Sequence, residues 1–395
     1  MEGERLYAYV EKYTSLGDHR TGTPINTETV DWLAAELTQY GYTVHYPEFP
    51  IHQFFFEDAA VISGSDTVHI FPQWWVNEHA SQDVTGQLVD IGALPDDLPL
   101  SGKIALIRLS EGQGYRKALR LIDSLVNKQV EAVVVVTENS TGDLSAFNST
   151  SEPHPWKVPV VLAGLKDAGK LAAFIAHKKP VRLFIKGRYR DVKAKNVYGT
   201  VGTGKEHVVI STPVSGWFGC GGERGPGIAV WLELARWAAG LKSDYTFVFT
   251  GNSGHELAGI GAHLFLDKFA PAPEHTRLWI HLGAGLATNA YRKTPDGLVK
   301  QAEADSLRNF FYSDEVEDSF KEAFLQIKAN KYNIKEQNGG ELIYVANKGY
   351  RRILGVSYTH PYFHTPLDSA TTTSPQILAA IAKAFQQFIL LETEQ

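Results

Sequence analysis

The chain has 395 residues, 44% of them hydrophobic, and a formal net charge of −6 at pH 7. That length accommodates one large domain and a smaller one, and an acidic balance without a long basic run argues against nucleic-acid or anionic-membrane partners. No apolar stretch reaches bilayer-spanning length, the opening Met-Glu-Gly-Glu-Arg lacks the regions of a signal peptide, and a single cysteine, Cys220, excludes an intrachain disulfide. The compartment these features predict is the cytoplasm, with a removed signal sequence as the alternative; the oligomeric state stays open.

Residues 4–16 and 27–41 read as helices, the second capped by Thr27 with Val30, Leu33 and Leu37 on one face. Tyr42-Thr-Val-His-Tyr then alternates like a strand. Between 54 and 190 come short β-like runs: Ala59–Ile62, Gly86–Asp90, Lys103–Ile107, Glu131–Val136 and Val158–Leu162, with a helix near 116–127. They predict a self-contained, mostly β inserted module. From about 195 the pattern alternates strand and helix: strand 208–210, helix 228–239, strand 245–250. This predicts an α/β fold with a doubly wound, mostly parallel sheet. The domain boundaries expected are 1–53 with 191–395 for this fold and 54–190 for the insert. Sites in such sheets form at the C-terminal ends of strands, where the loops 211–227, 251–256, 283–289 and 359–368 should converge.

These loops carry the chemistry. Gly219-Cys-Gly-Gly-Glu-Arg-Gly-Pro-Gly227 holds Glu223, Gly-Asn-Ser-Gly-His255-Glu256 follows the second strand, and Phe363-His364-Thr-Pro-Leu-Asp368 comes late. Two carboxylates and a histidine at strand ends are what a metal such as zinc needs. The glycine-rich loop lacks the Gly-Lys-Ser/Thr ending of a phosphate motif. Cys220 is either a nucleophile, with His255 or His281 as base, or inert packing. Arg224 either binds a substrate carboxylate or pairs with Glu223, and the second choice counts against a metal there. His281 either fills space beside Gly283 or is a buried structural histidine. Trp217, Phe218 and Tyr362 are candidates to line an aromatic pocket for a small or peptide-like ligand, against ordinary core.

Taken together the chain resembles metallopeptidase family 28, the co-catalytic zinc exopeptidases, which include aminopeptidases, glutamate carboxypeptidase-like enzymes and glutaminyl cyclases. The opening His19-Arg-Thr-Gly-Thr-Pro-Ile-Asn with Trp32-Leu-Ala-Ala-Glu-Leu is similar to the family's N-terminal helices. Leu100-Ser-Gly-Lys-Ile-Ala-Leu-Ile-Arg with Ala132-Val-Val-Val-Val resembles a protease-associated domain. Asn196-Val-Tyr-Gly-Thr resumes the main domain, and Gly227 to Arg236 resembles the helix after the bridging ligand.

The resemblance carries the site over only in part. Pro213 and Ser215 stand at the family's His-x-Asp pair, Gly283 at a further aspartate ligand, and Glu223 at the bridging aspartate. His255-Glu256 stands at the Glu-Glu pair, so an imidazole replaces the general base, and His364 keeps the last ligand. The resemblance thus implies one zinc at most, held by Glu223, Glu256 and His364 with one position open, as in a catalytic site. It implies a hydrolase or acyl-transfer enzyme for an amide or peptide-like small substrate, with His255 moving the proton, the alternatives for His255 being a metal ligand or a polar pocket residue. Two alternatives stand beside it. One is a metal-free enzyme using Cys220 with His255 or His281; the other is a non-catalytic pseudopeptidase that binds peptides or a partner through the cleft and the insert.

Overall fold

Unbroken β-branched and aromatic runs such as Val208-Val209-Ile210 and Phe247-Val248-Phe249 suit strands covered on both faces. In the computed structural model, which describes residues 2–79, 81–93, 99–110, 115–149 and 156–394, they form the centres of strands Glu206–Pro213 and Tyr245–Asn252. The two pair in parallel with Val208 opposite Phe247. Thr276–Leu282 pairs in parallel on the other side of Glu206–Pro213, and Ile353–Ser357 in parallel beyond it. Flanking strands run antiparallel: Val197–Val201 on one side and Asn309–Tyr312 on the other. Thr43–His45 and Asn330–Asn333 complete an eight-stranded sheet.

Alternate residues of these strands face different helices. Val208, Ile210, Phe247 and Phe249 join a core with helices Glu2–Leu16, Pro24–Gln39, Gly225–Ala238 and Pro375–Thr393. Val209, Val248, Trp279 and Ile353 join a second core with Phe265, Leu342 and Val345 from helices Ile260–Lys268 and Leu342–Asn347. Helices on both faces make the sheet doubly wound, as expected. Helix Gly225–Ala238 is buried nearly all round because Ile228-Ala-Val-Trp-Leu offers no polar face. Its one buried acid, Glu233, is paired with Arg5 at 2.8 Å and Arg236 at 2.7 Å.

The expected cap of the second helix is corrected. Thr23, not Thr27, is the N-cap, its Oγ1 accepting from Asn26 N at 3.2 Å with Pro24 as the first helical residue. The fixed φ of proline suits the first turn, so it sets the cap four residues earlier.

Contacts divide the chain into Met1–Ile51 with Lys193–Gln395, and His52–Val192. The second unit is its own eight-stranded sheet. Its central strands Asp83–Asp90, Lys103–Leu109, Ala132–Thr137 and Val160–Gly164 are parallel. Helices Tyr115–Asn127 and Ala168–His177 accompany them, so this unit has a parallel α/β centre that short β-like runs alone understate. Among the described residues no helix is long and apolar enough to cross a membrane.

Candidate functional site

Parallel strands deliver their following loops to one edge of the sheet. Pro213 lies opposite Asn252, and His281 lies between Ser211 and Gly355 in register. Backbone bonds then tie the loops together: Val214 N to Asn252 O at 2.9 Å, Gly285 N to Glu223 O at 3.1 Å, and Tyr358 N to Ala284 O at 3.0 Å. Four side-chain-bearing residues in these loops sit in the left-handed region: Phe218 at φ 60°, Cys220 at 45°, Ala258 at 59° and His364 at 59°. Such strain persists only where the surroundings over-determine it, and it concentrates at functional sites.

The glycine-rich loop is held by Asp368. Its carboxylate accepts from Gly222 N at 2.7 Å and Glu223 N at 2.9 Å. Glycine is required by space: a Cβ on Gly221 would lie 2.2 Å from Ser369 C, and one on Gly222 would lie 2.1 Å from Thr372 Oγ1. Glu223 is thereby fixed with its side chain fully buried, and the Arg224 guanidinium lies 2.7 Å from its Oε1. His364 Nε2 is 3.2 Å from the same oxygen. Neither Glu223 oxygen, and neither terminal nitrogen of Arg224, has hydrogen-bond alignment. The pair is thus held by charge at close range, while Arg224 Nε donates to Ser215 O at 3.0 Å. Burial works against ionisation of Glu223, but Arg224 and then His364 outweigh it and hold its carboxyl down to about 2.

Glu256 is equally engaged. Its Oε1 accepts from Thr21 N at 2.6 Å and its Oε2 from Ser215 Oγ at 2.7 Å. Ser215 Oγ also accepts from Gly254 N at 2.8 Å, so this serine serves as a hydrogen-bonding hub.

This donor set does not fit zinc. A catalytic zinc needs three protein groups converging with free lone pairs. Here one carboxylate faces a guanidinium, the other is taken by protein donors, and among the described residues no group of three His, Cys, Asp or Glu is placed to hold a metal ion. Glu223, Glu256 and His364, the expected ligand set, are thus not arranged as a metal-holding group among the described residues. Nor does the aspartate missing at Gly283 have room, since a Cβ there would lie 2.0 Å from Val356 O.

His255 keeps 16% of its side chain exposed and places Nδ1 2.8 Å from Glu341 Oε1. His281 is buried with Nδ1 3.1 Å from Ser211 Oγ, and burial lowers its pKa to about 4, so it is neutral. The ring lies beside Gly283, where a Cβ would come 3.2 Å from its Nε2. Cys220 has no exposed surface, its Sγ donates to Trp217 O at 2.7 Å, and burial pushes its thiol pKa well above the ordinary value. Those are the properties of a packing cysteine rather than a nucleophile. Arg224 is buried against Glu223, and Trp217 is buried as well. Phe218 and Tyr362 are half-buried, Tyr362 lying edge-on to Tyr291 with ring centroids 5.1 Å apart. Phe363 stacks on His364 at 3.8 Å.

Glu341 is the site residue that the sequence reading does not contain. Its available signal was the Gly339-Gly340 pair before it, since Gly340 adopts φ +59° against Ser357 and His281.

No protein-family model matches the chain, and no curated protein is similar to it in sequence. Solved structures do match. The chain is similar to a zinc aminopeptidase from Bacillus subtilis at 16% identity and TM-score 0.77, covering 98% of this chain and 94% of that one. It is similar to a peptidase M28 precursor from Shewanella amazonensis at 16% identity and TM-score 0.78, covering 98% and 92%. A Porphyromonas gingivalis glutaminyl cyclase matches at 9% identity and TM-score 0.52, covering 98% and 97%. The chain therefore has the M28 zinc-exopeptidase fold. At these identities the likeness establishes architecture, and function has to be argued from the site.

Proposed function

We propose that the protein is a hydrolase or acyl-transfer enzyme acting on an amide of a small, peptide-like substrate, with His255 moving the proton and no zinc held by Glu223, Glu256 and His364. The observation that carries this reading is the Glu223–Arg224 pair at 2.7 Å inside the cluster. It places a fixed, buried ion pair where the resemblance calls for a metal, and it leaves the partly exposed His255 as the proton carrier. Glu223, Glu256, His281 and His364 are all buried, so among these five groups only His255 presents a substantial surface. A neutral imidazole there takes a proton from water or an attacking amine and returns it to the leaving amine.

A second reading, a peptide-binding protein without turnover, is favoured by one observation: of the two candidate metal carboxylates, Glu256 is hydrogen-bonded by Thr21 and Ser215 and Glu223 is charge-paired with Arg224. The test is a panel of aminoacyl anilides and N-terminal glutaminyl peptides with the full chain, with and without chelator. Turnover unaffected by chelator and lost in His255→Ala supports the enzyme. Ligand-induced thermal stabilisation without turnover supports binding alone. Turnover abolished by chelator and restored by zinc overturns the metal-free reading.

A further inference from the structure

We propose that Glu341 is a positioning residue that fixes the tautomer of His255 and so turns its Nε2 lone pair toward the cleft. This rests on the role given to His255 above. Glu341 Oε1 is 2.8 Å from His255 Nδ1. An ionised carboxylate only accepts, so Nδ1 carries the proton. In the neutral ring the remaining lone pair is then on Nε2, the atom a base must present.

Three features place Glu341 behind the histidine rather than against a ligand. It is buried, with its side chain 3% exposed. It comes from a separate element, the residue preceding helix Leu342–Asn347, so its approach to the 251–256 loop is set by tertiary packing. The space on its inner side, bounded by Ser211, Asn252 and His281, is a cavity of about 10 Å³, too small for more than about one water. The substrate therefore meets His255 and not Glu341. Burial opposes ionisation of Glu341, but its hydrogen bond to His255 outweighs this and lowers its pKa, in keeping with a carboxylate acceptor.

The pair resembles in logic, not in fold, the acid–imidazole arrangements in which a buried carboxylate holds a catalytic ring in one tautomer. Glu341→Gln should keep the orientation, since its amide oxygen still accepts, whereas Glu341→Ala should lose it.

The experiment is nitrogen NMR of the full chain labelled at histidine, at about pH 8, with His255→Ala identifying the His255 signals. The wild type should show the proton on Nδ1. Glu341→Ala should move it to Nε2, Glu341→Gln should keep it on Nδ1, and Glu341→Asp should restore it in part. On a substrate that is turned over, Glu341→Ala should lower kcat by about 10- to 100-fold with KM within about twofold. An unchanged tautomer in Glu341→Ala, or a wild type protonated on Nε2, overturns the proposal. If His255→Ala keeps full turnover, the role of His255 fails instead, while the NMR result still decides whether Glu341 sets the ring.

Discussion

At the scale of single residues, Arg224 and Cys220 give the sharpest expectations. Removing one partner of a buried ion pair leaves an uncompensated charge, so Arg224→Ala should destabilise the protein by about 3–5 kcal/mol in urea unfolding. Arg224→Met, which restores packing but not charge, should recover little, because Glu223 stays buried and unpaired. The Cys220 thiol should resist alkylation in the native state and react on unfolding, and Cys220→Ala should keep turnover; rapid native labelling would contradict its burial.

The residue scale is also where the sequence was most and least legible. The resemblance put Pro213, Ser215 and Gly283 at metal-site positions, and the Arg224–Glu223 pair was one of two stated alternatives. The His255–Glu341 pair spans 86 positions, and no local pattern records such a contact. The engagement of Glu256 by Thr21 and Ser215 was hidden for the same reason.

At the scale of elements, the close approach of the strand edges decides what the loops can hold. The Gly283 Cα faces Val356 O from the neighbouring strand, where a Cβ would come within 2.0 Å. Gly283→Asp should therefore not rebuild a ligand; it should lower the thermal midpoint by roughly 2–6 °C, about 1–3 kcal/mol of overpacking. A variant as stable as the wild type that also gains zinc would contradict this.

Strand and helix types were legible because hydrophobic periodicity is local. Unbroken runs such as 208–210 and 247–249 marked the sheet centre, and the glycine-flanked ends marked the loops. Helix Ala168–His177 escaped because its apolar positions merge with the preceding strand Val160–Gly164. The N-cap of the second helix slipped by four residues because Thr27 and Thr23 offer the same chemistry and Pro24 breaks the tie.

At the scale of the whole molecule, buried histidines set the acid limit. Burial lowers His19 from 6.5 to about 3 and His281 to about 4. Below pH 6.5 the unfolded chain binds these protons and the folded one does not, so stability should be full above about 6.5 and fall as pH drops toward 4. Glu223 adds a second loss: its folded value of about 2 lies below the ordinary 4.5, so its contribution disappears as pH falls from about 4.5 toward 2. Unfolding midpoints measured from pH 7 to 4 should thus fall steadily, and His281→Gln should flatten the upper part of that slope. A flat wild-type profile would contradict the neutral burial of both rings.

The central claim is that a buried Arg224–Glu223 ion pair stands where the resemblance calls for a metal and that the surviving carboxylates and His364 hold no zinc. The most direct measurement is metal stoichiometry by plasma mass spectrometry on full-length protein purified without an affinity-tag metal, before and after incubation with zinc. The account expects zinc well below one per chain in both samples. About one zinc per chain, lost in Glu256→Ala or His364→Ala, would contradict it.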